Sequence, residues 1–304
     1  MSDAVASPRL IILANRQKAP VARALNDLRP WLAERSRIVA EPDTLALTRG
    51  TACEIPDADL AIVLGGDGTM LAQARHLCDR DTPMLGVNFG KLGFLAEFSP
   101  DDLRHHWPAI ANGICRTTDR LMMDVRVFDA NAADCHVGRL DMDHCKHASV
   151  ALNDAVITAG APFRMVEMGL AIEPVEGSAA TQVNGDGVIV STSTGSTAYN
   201  LAAGGPIISP GVDAFCVTPI CVHSLAFRSI VVRPDAGICV RLDSANRGTA
   251  LVIDGQETIK LTAHEQIFVQ KHAHPLRLVR NPDFTYWKML AQKMQWAARP
   301  RREP

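Results

Sequence analysis

The stretch "LGGDGTML", Leu64–Leu71, constrains the fold of this 304-residue chain more than any other segment. It follows the continuous apolar run "DLAIVL" (59–64) and precedes a predicted helix from Thr69 to about Cys78. An apolar run without alternation reads as a strand buried on both faces, as parallel strands are. A glycine-rich turn after such a strand lies at its C-terminal end, where open α/β sheets bind ligands. Three glycines let the backbone approach a ligand closely, and the helix start presents N–H groups and the positive end of its dipole. The spacing is neither G-x-x-x-x-G-K-[ST] nor G-x-G-x-x-G. Instead an acid, Asp67, stands in what looks like a phosphate cradle. A carboxylate there can take a proton from an attacking hydroxyl, or hold Mg²⁺ directly or through water, and both belong to phosphoryl transfer. The plain alternative is an Asp-Gly turn that only joins strand to helix.

The segments around this turn alternate. "LIILA" (10–14), "RIVA" (37–40) and "PMLGVN" (83–88) read as further strands, and Val21, Ala24, Leu25, Leu28, Trp31 and Leu32 recur at helical spacing. The order β-α-β-α-β predicts a parallel sheet with helices on its faces. From about Arg116 the pattern changes to short strands at short intervals. Among them are "DVRVF" (124–128), "SVALNDAVI" (149–157), "MVEMGLAI" (165–172), "GVIVST" (187–192), "CVTPICV" (216–222), "SIVV" (229–232), "GICVRL" (237–242), "TALVI" (249–253), "TIKLTA" (258–263), "QIFVQ" (266–270) and "LRLV" (276–279). That is an all-β, sandwich-like pattern. "TGSTAYNLAAGGP" (194–206) interrupts it with a loop, a short helix and a glycine stop. Asn281 as a cap and Pro282 at the first position open a last helix. The predicted division is 1–115 (α/β), 116–280 (β-rich) and 281–304 (a helix packing back on the first domain, and a tail).

Four segments together resemble the NAD kinases. "GGDGTML" is similar to their signature, which the wider superfamily of diacylglycerol and sphingosine kinases shares. "GVNFGKLGFLAEF" (86–98), "LND" (152–154) and "DGVIVSTSTGSTAYNLAAGGPIISP" (186–210) resemble the segments that follow in NAD kinases, in the same order. The resemblance runs from about Leu60 to the C-terminal helix. It implies a Rossmann-like α/β domain followed by a β-sandwich-like domain. It also implies transfer of a phosphoryl group from ATP or polyphosphate to the 2′-hydroxyl of the adenosine ribose of NAD.

The same resemblance assigns roles residue by residue. Asp67 would be the general base on that hydroxyl, with Gly65, Gly66, Gly68 and Thr69 as the phosphate-binding turn. Phe94 would lie against the adenine, and Asn153 and Asp154 would bind ribose hydroxyls. Thr197, Ala198, Tyr199, Asn200, Leu201 and Ala202 would line the dinucleotide site, Asp186 would sit near the nicotinamide end, and Gln256 would be a further ligand. Arg164, Asn184 and Cys221 fall at aligned but variable positions. Some residues depart from the family pattern. Asp154 is one methylene shorter than the usual Glu, Ala202 replaces a common Ser, Asn184 stands where some relatives carry Arg, and "NFG" (88–90) replaces Asn-Arg-Gly. The resemblance further implies Mg²⁺ or Mn²⁺ with ATP, no metal held tightly by protein, and a homodimer or homotetramer. The hydroxyl-rich loop "STSTGST" (191–197) is expected to offer donors to phosphate or ribose oxygens.

Charge and composition narrow the alternatives. A net charge of −2 gives no footprint for nucleic acid or an acidic membrane surface. No signal peptide or membrane span is legible, and eight scattered Cys without a C-x-x-C pair fit reduced thiols in the cytoplasm. A lipid kinase sharing the acid-glycine motif, or a nucleotide-binding regulator without catalysis, are the rival readings. "DCHVGRLDMDHCKH" (134–147) crowds Cys135, His136, His144, Cys145 and His147, but the spacing matches no standard zinc pattern, so a polar, dispensable hairpin loop is expected. His105 and His106 are expected to be solvated, His223 to be core or to support the pocket, Trp287 and Trp296 to pack, and 299–304 to be a frayed tail.

Overall fold

A computed structural model describes residues 7–44, 47, 55–90, 92–162, 164–175, 180–224 and 226–294. Cys53, Trp296 and the tail lie outside these residues. The chain forms two units, Met1–Asp119 with Arg277–Pro304, and Arg120–Leu276.

The first unit is built on one six-stranded sheet. Its strands are β1 (Arg9–Ala14), β2 (Arg37–Ala40), β3 (Leu60–Leu64), β4 (Met84–Val87), β5 (Thr117–Arg120) and β18 (Leu276–Val279). They lie in the order β2-β1-β3-β4-β18-β5. β1 runs parallel to β2 and β3, and β3 to β4, with Leu10 opposite Leu60 and Leu64 opposite Val87. Every residue of β3 is buried, as its unbroken apolar run requires. Helix α1 (Ala19–Ala33) turns Val21, Leu25, Leu28 and Leu32 inward at steps of four, three and four residues. Helix α3 (Pro100–Ala111) opens on a capping box between Ser99 and Asp102. Each large aliphatic side chain buried in this core contributes about 1.5–3 kcal/mol.

One expectation fails here for a physical reason. "LRLV" is not part of the β-rich domain: β18 pairs in parallel with β4, Leu278 opposite Met84, and residues 277–280 belong to the first unit. The decisive partner is distant in sequence. Glu97, only 2% exposed, takes the Arg280 guanidinium at 2.7 Å and the Asn281 backbone N–H at 3.1 Å. "TTDR" (117–120) forms a strand although its polar composition hides any alternation.

The second unit is two six-stranded sheets sharing one core. The first contains β6 (Met123–Phe128), β7 (Cys145–Ala151), β9 (Val166–Ile172), β10 (Thr181–Gly185), β14 (Ile238–Leu242) and β17 (Gln266–Lys271). The second contains β8 (Asp154–Thr158), β11 (Gly187–Thr192), β12 (Phe215–Ile220), β13 (Ile230–Val232), β15 (Ala250–Ile253) and β16 (Glu257–Lys260). Their orders are β10-β9-β14-β17-β6-β7 and β13-β12-β11-β8-β15-β16. Val125, Met168 and Val240 from one sheet and Val190, Val217 and Leu251 from the other are buried in a single cluster, the sandwich arrangement. β10, "TQVNG", is a strand that its polar sequence conceals. "SVALNDAVI" is not one strand. It breaks at Leu152–Asn153, where the chain leaves β7 in one sheet for β8 in the other.

The loop between β6 and β7 is more than a polar connection. Cys135 is 3% exposed and packs with Phe128, Cys239 and Phe268. Gln266 fixes the loop, accepting from the Cys135 N–H at 3.0 Å and donating to the Ala133 carbonyl at 3.2 Å. His144 pairs with Asp129, His147 with Glu257 and Lys146 with Glu265. These contacts give the loop packing and hydrogen bonds that a passive connection lacks. Replacing 132–146 by a turn empties the Cys135 site and strands the Gln266 amide, so the melting temperature should fall by several degrees, equivalent to about 2–4 kcal/mol. An unchanged melting temperature in that variant would show the loop to be a passive connection.

Other side chains depart from expectation. His106 meets Asp283 at 2.8 Å, His223 is exposed, and Trp287 is 56% exposed while Met289 and Leu290 supply the buried face of α5 (Tyr286–Met294). Among the described residues no helix is long and apolar enough to cross a membrane.

Candidate functional site

In the first unit β3 ends at Leu64, and the Gly65 N–H continues the ladder to the Val87 carbonyl at 2.9 Å. Gly66 is the N-cap of helix α2 (Asp67–Leu77), so Asp67 is its first residue. A carboxylate at a helix start is favoured by the dipole. This one is also pinned from outside the helix. It accepts the backbone N–H groups of Phe94 at 2.8 Å, Leu95 at 3.0 Å and Ala96 at 3.1 Å. A carboxylate offers about four lone-pair directions, so three donors leave about one free.

The glycines explain how chain and carboxylate come so close. A Cβ on Gly93 would stand 1.8 Å from Asp67 Oδ1, and one on Gly65 would stand 2.5 Å from Thr69 Oγ1. Gly68 is exposed, and a Cβ added there would meet nothing within 4 Å, so that face of the turn is open. Gly93 has no expected role from the sequence, although it stands in the quoted segment "GKLGF". Phe94 is half-buried. Its ring lies 5.8 Å from Tyr286, and Lys293 sits 5.1 Å from its centroid, so α5 packs on the residue expected to meet the adenine. The three backbone donors of Phe94, Leu95 and Ala96 are spent on the Asp67 carboxylate itself.

In the second unit a cavity of about 310 Å³ is lined by Asn153, Asp154, Ala198 and Tyr199 together with Val156, Thr158, Val252, Asp254 and Gly255. That volume lies at the lower end of the range for small-molecule pockets. Asp154 is 4% exposed, and its carboxyl has no hydrogen bond among the described residues. Burial and, after it, the charge of Asp254 push Asp154 up to about 7. The Asn153 side chain lines the same space, half-buried, with no side-chain partner among the described residues. Asp254, 7% exposed and at φ +50°, accepts the N–H groups of Leu152 at 3.0 Å, Asn153 at 2.7 Å and Asp154 at 3.1 Å. This is the lock on the crossing between the sheets.

The loop after β11 closes the other side of the Asn153 backbone. Thr192 donates from its N–H to the Asn153 carbonyl at 2.9 Å and from its hydroxyl to the Leu152 carbonyl at 2.5 Å. Three of the six hydroxyls of "STSTGST" are engaged inside the protein, while those of Ser193 and Thr194 are buried without a hydrogen-bond partner among the described residues. Ser191 donates to Thr192, and Ser196 to Ser193 at 2.7 Å. Asn200 is wholly buried: its amide donates to the Ser196 and Pro206 carbonyls and accepts from Thr218 Oγ1 at 2.6 Å. It anchors the short helix α4 (Tyr199–Ala202) and does not face the cavity, because every polar atom of its amide is engaged.

The remaining expected residues do not line the cavity. Thr197 and Leu201 are half-buried and Ala202 is exposed beside it in sequence. Asn184, Asp186 and Cys221 cluster elsewhere, through the Asp186 N–H to the Ile220 carbonyl and the His223 N–H to the Asn184 carbonyl, both 2.9 Å. Arg164 is exposed, its carbonyl bound by Asn246. Gln256 is exposed in the turn, whereas its neighbours Asp254 and Gly255 reach the cavity. The signal for Asp254 is present in "DGQ", but the family pattern directs attention to the glutamine.

Two family models match the chain, the ATP-NAD kinase N-terminal domain over residues 14–114 and the ATP-NAD kinase C-terminal domain over residues 152–281. The chain is 36% identical to the NAD kinase of Acidobacterium capsulatum over 298 residues, covering 96% of this chain and 99% of the relative. It is 39% identical to that of Geobacter metallireducens, covering 90% and 93%. In fold it is similar to a yeast NADH kinase solved with NADH, at a TM-score of 0.77 and 21% identity, over 98% of this chain and 91% of that one. It is similar also to an NAD kinase from Archaeoglobus fulgidus solved with ATP, at a TM-score of 0.65 and 22% identity, over 90% and 94%. The Gly-Asp-Gly turn at the start of α2, the Asn-Asp crossing between two sheets and these matches along nearly the whole length agree: the chain belongs to the NAD kinase family, enzymes that phosphorylate NAD with ATP.

Proposed function

We propose that Asp67 is the general base of this NAD kinase and that Asn153 and Asp154 hold a ribose of the dinucleotide. The observation that carries the reading is the position of Asp67 as first residue of α2, its carboxylate held by three backbone amides in a glycine turn whose Gly68 is exposed. The 2′-hydroxyl oxygen of NAD attacks the γ-phosphorus of ATP and forms the new P–O bond. The bond to the β-phosphate oxygen breaks, ADP leaves, and the hydroxyl proton goes to the remaining lone pair of Asp67. The helix start and the glycine turn face the phosphates with N–H groups. Mg²⁺ or Mn²⁺ would enter with ATP as part of the donor substrate and neutralise phosphate charge. Polyphosphate is the alternative donor.

In the second unit, Asn153 and Asp154 bring polar atoms without protein partners among the described residues to a cavity that Tyr199 also lines. That arrangement supports ribose binding, since buried polar groups need partners. A homodimer or homotetramer is part of the proposal, supported by the edge strand β13, which exposes Ile230 and Val231. So is a cytoplasmic location, supported by seven unpaired cysteines among the described residues. The test is NADP formation by the purified chain from NAD with Mg-ATP, and separately with polyphosphate. Absence of NADP with either donor would remove the reading.

Asn153→Ala separates the acceptor site from the donor site. Loss of the amide leaves the ribose hydroxyls unpaired, at about 1–3 kcal/mol, or about fivefold to 150-fold. The Michaelis constant for NAD should rise by that factor while that for ATP changes little. An equal rise for both substrates would put Asn153 outside the dinucleotide site.

A further inference from the structure

Asp154 and Asp254 are two nearly buried carboxyl groups on one small cavity, and the structure treats them differently. Asp254 receives three backbone N–H donors within 3.1 Å. Asp154 receives none among the described residues. The two are also tied to each other through the main chain, since Asp254 Oδ1 accepts from the Asp154 N–H and the Asp254 N–H donates to the Asp154 carbonyl at 2.9 Å. Hydrogen bonds to a carboxylate favour its charged form, and a like charge beside a second carboxyl disfavours the charge there. One proton shared between these groups therefore belongs on Asp154.

We propose that Asp254 is a positioning residue for the ligand: it fixes the Asn153–Asp154 turn against the cavity and leaves the Asp154 carboxyl bearing its proton, a hydrogen-bond donor to a hydroxyl or phosphate oxygen. The proposal rests on the reading of this cavity as part of the NAD site. It answers a difficulty in that reading, because NAD carries a charged pyrophosphate and a second buried carboxylate charge would oppose its binding. The upward displacement of Asp154 to about 7, by burial first and Asp254 second, agrees with it. The titratable groups that line the cavity are Asp154 from β8, Asp254 from the turn after β15 and Tyr199 from α4.

The sign of the pH effect follows. Below about pH 7 Asp154 carries its proton and donates; above it the donor is lost and a negative charge is gained. The test is the dissociation constant of NAD for the full chain, by calorimetry without ATP, from pH 6 to 9. For the wild type it should rise above neutrality, approaching about tenfold per pH unit. Asp154→Asn should bind NAD with a flat profile over this range. Asp254→Asn removes the like charge, so its midpoint should fall by about one pH unit or more.

A merely structural Asp254 would weaken binding equally at every pH with the midpoint unmoved, and that result overturns the proposal. An Asp154→Asn variant with unchanged affinity and an unchanged pH profile overturns the cavity reading itself, and the proposal with it. The second failure differs from the first because there the Asp154→Asn profile does flatten. Should Asp254→Asn not fold, carbon-13 spectra of wild-type protein labelled in its Asp carboxyls decide the matter. One carboxyl should titrate near neutrality and be missing from Asp154→Asn, whereas no carboxyl titrating above about pH 6 refutes the assignment.

Discussion

Asp67→Asn should lower the turnover number by about 10²–10⁴, which is about 3–5 kcal/mol at the transition state. An amide keeps the size of the side chain and a hydrogen bond to the substrate hydroxyl, but it does not take the proton. The structure adds a second effect that the sequence alone does not anticipate. For a carboxylate beside bound phosphates, the sequence leads one to expect little loss of stability in the empty protein on substitution. Yet Asp67 ties α2 to the segment of Phe94, Leu95 and Ala96 by three amide bonds. In the variant an NH₂ group faces at least one backbone N–H where an acceptor stood. Bonds to a charged acceptor are worth about 1.5–3 kcal/mol each, so the melting temperature should fall by several degrees as well.

These effects are separable. Turnover is expressed per folded molecule, below the melting transition of both proteins, and NAD affinity is measured on the same preparation. A residue that only braces the turn would lose stability and keep turnover per folded molecule. A metal ligand would recover activity as Mg²⁺ is raised, whereas the base does not. Near-normal turnover in folded Asp67→Asn would sink the mechanism.

The bracing of Asp67 shows where sequence is readable and where it stops. The strand, the turn and the helix of 60–77 are local: an unbroken apolar run, glycines and a first-turn acid sit within eighteen residues. The partners of Asp67 lie 27 to 29 residues downstream and are backbone amides, which have no residue type to betray them. Gly93 has the same invisibility, since its importance is the atom it lacks.

The second unit repeats the lesson. In "SVALNDAVI" only the turn-forming pair Asn153–Asp154 interrupts an apolar run, a mark too short to show that the chain changes sheets there. What breaks it is Asp254, about a hundred residues away. "LRLV" is legible as a strand but not as a member of the first sheet, because alternation specifies a buried face and not a neighbour. The polar strands "TTDR" and "TQVNG" escape the pattern because edge positions impose little hydrophobic alternation. β5 and β10 both end their sheets.

Gly195→Ala should disturb the Asn153–Asp154 turn of the second unit by geometry, without removing any polar group. A Cβ at this position would stand 2.1 Å from the Asn153 carbonyl oxygen, 2.5 Å from its carbon and 2.6 Å from the Asn153 Cα. All three atoms are backbone, and neither side can yield easily. The Asn153 carbonyl is held by the Thr192 N–H at 2.9 Å, and its N–H by Asp254 at 2.7 Å. Gly195 is itself held by Thr192 Oγ1 at 3.1 Å. Overpacking of this kind costs about 1–3 kcal/mol, more where the backbone must move. Part should appear as a lower melting temperature. The rest displaces Asn153 and Asp154 from the cavity, raising the dissociation constant of NAD by about tenfold to a hundredfold. Gly211→Ala is the control. That glycine is exposed, with nothing within 4 Å of an added Cβ, so its substitution should stay within about 0.5 kcal/mol of wild type. Wild-type melting and NAD affinity in Gly195→Ala would mean that the loop after β11 does not press on the Asn153 backbone, and that the turn owes its place to Asp254 alone.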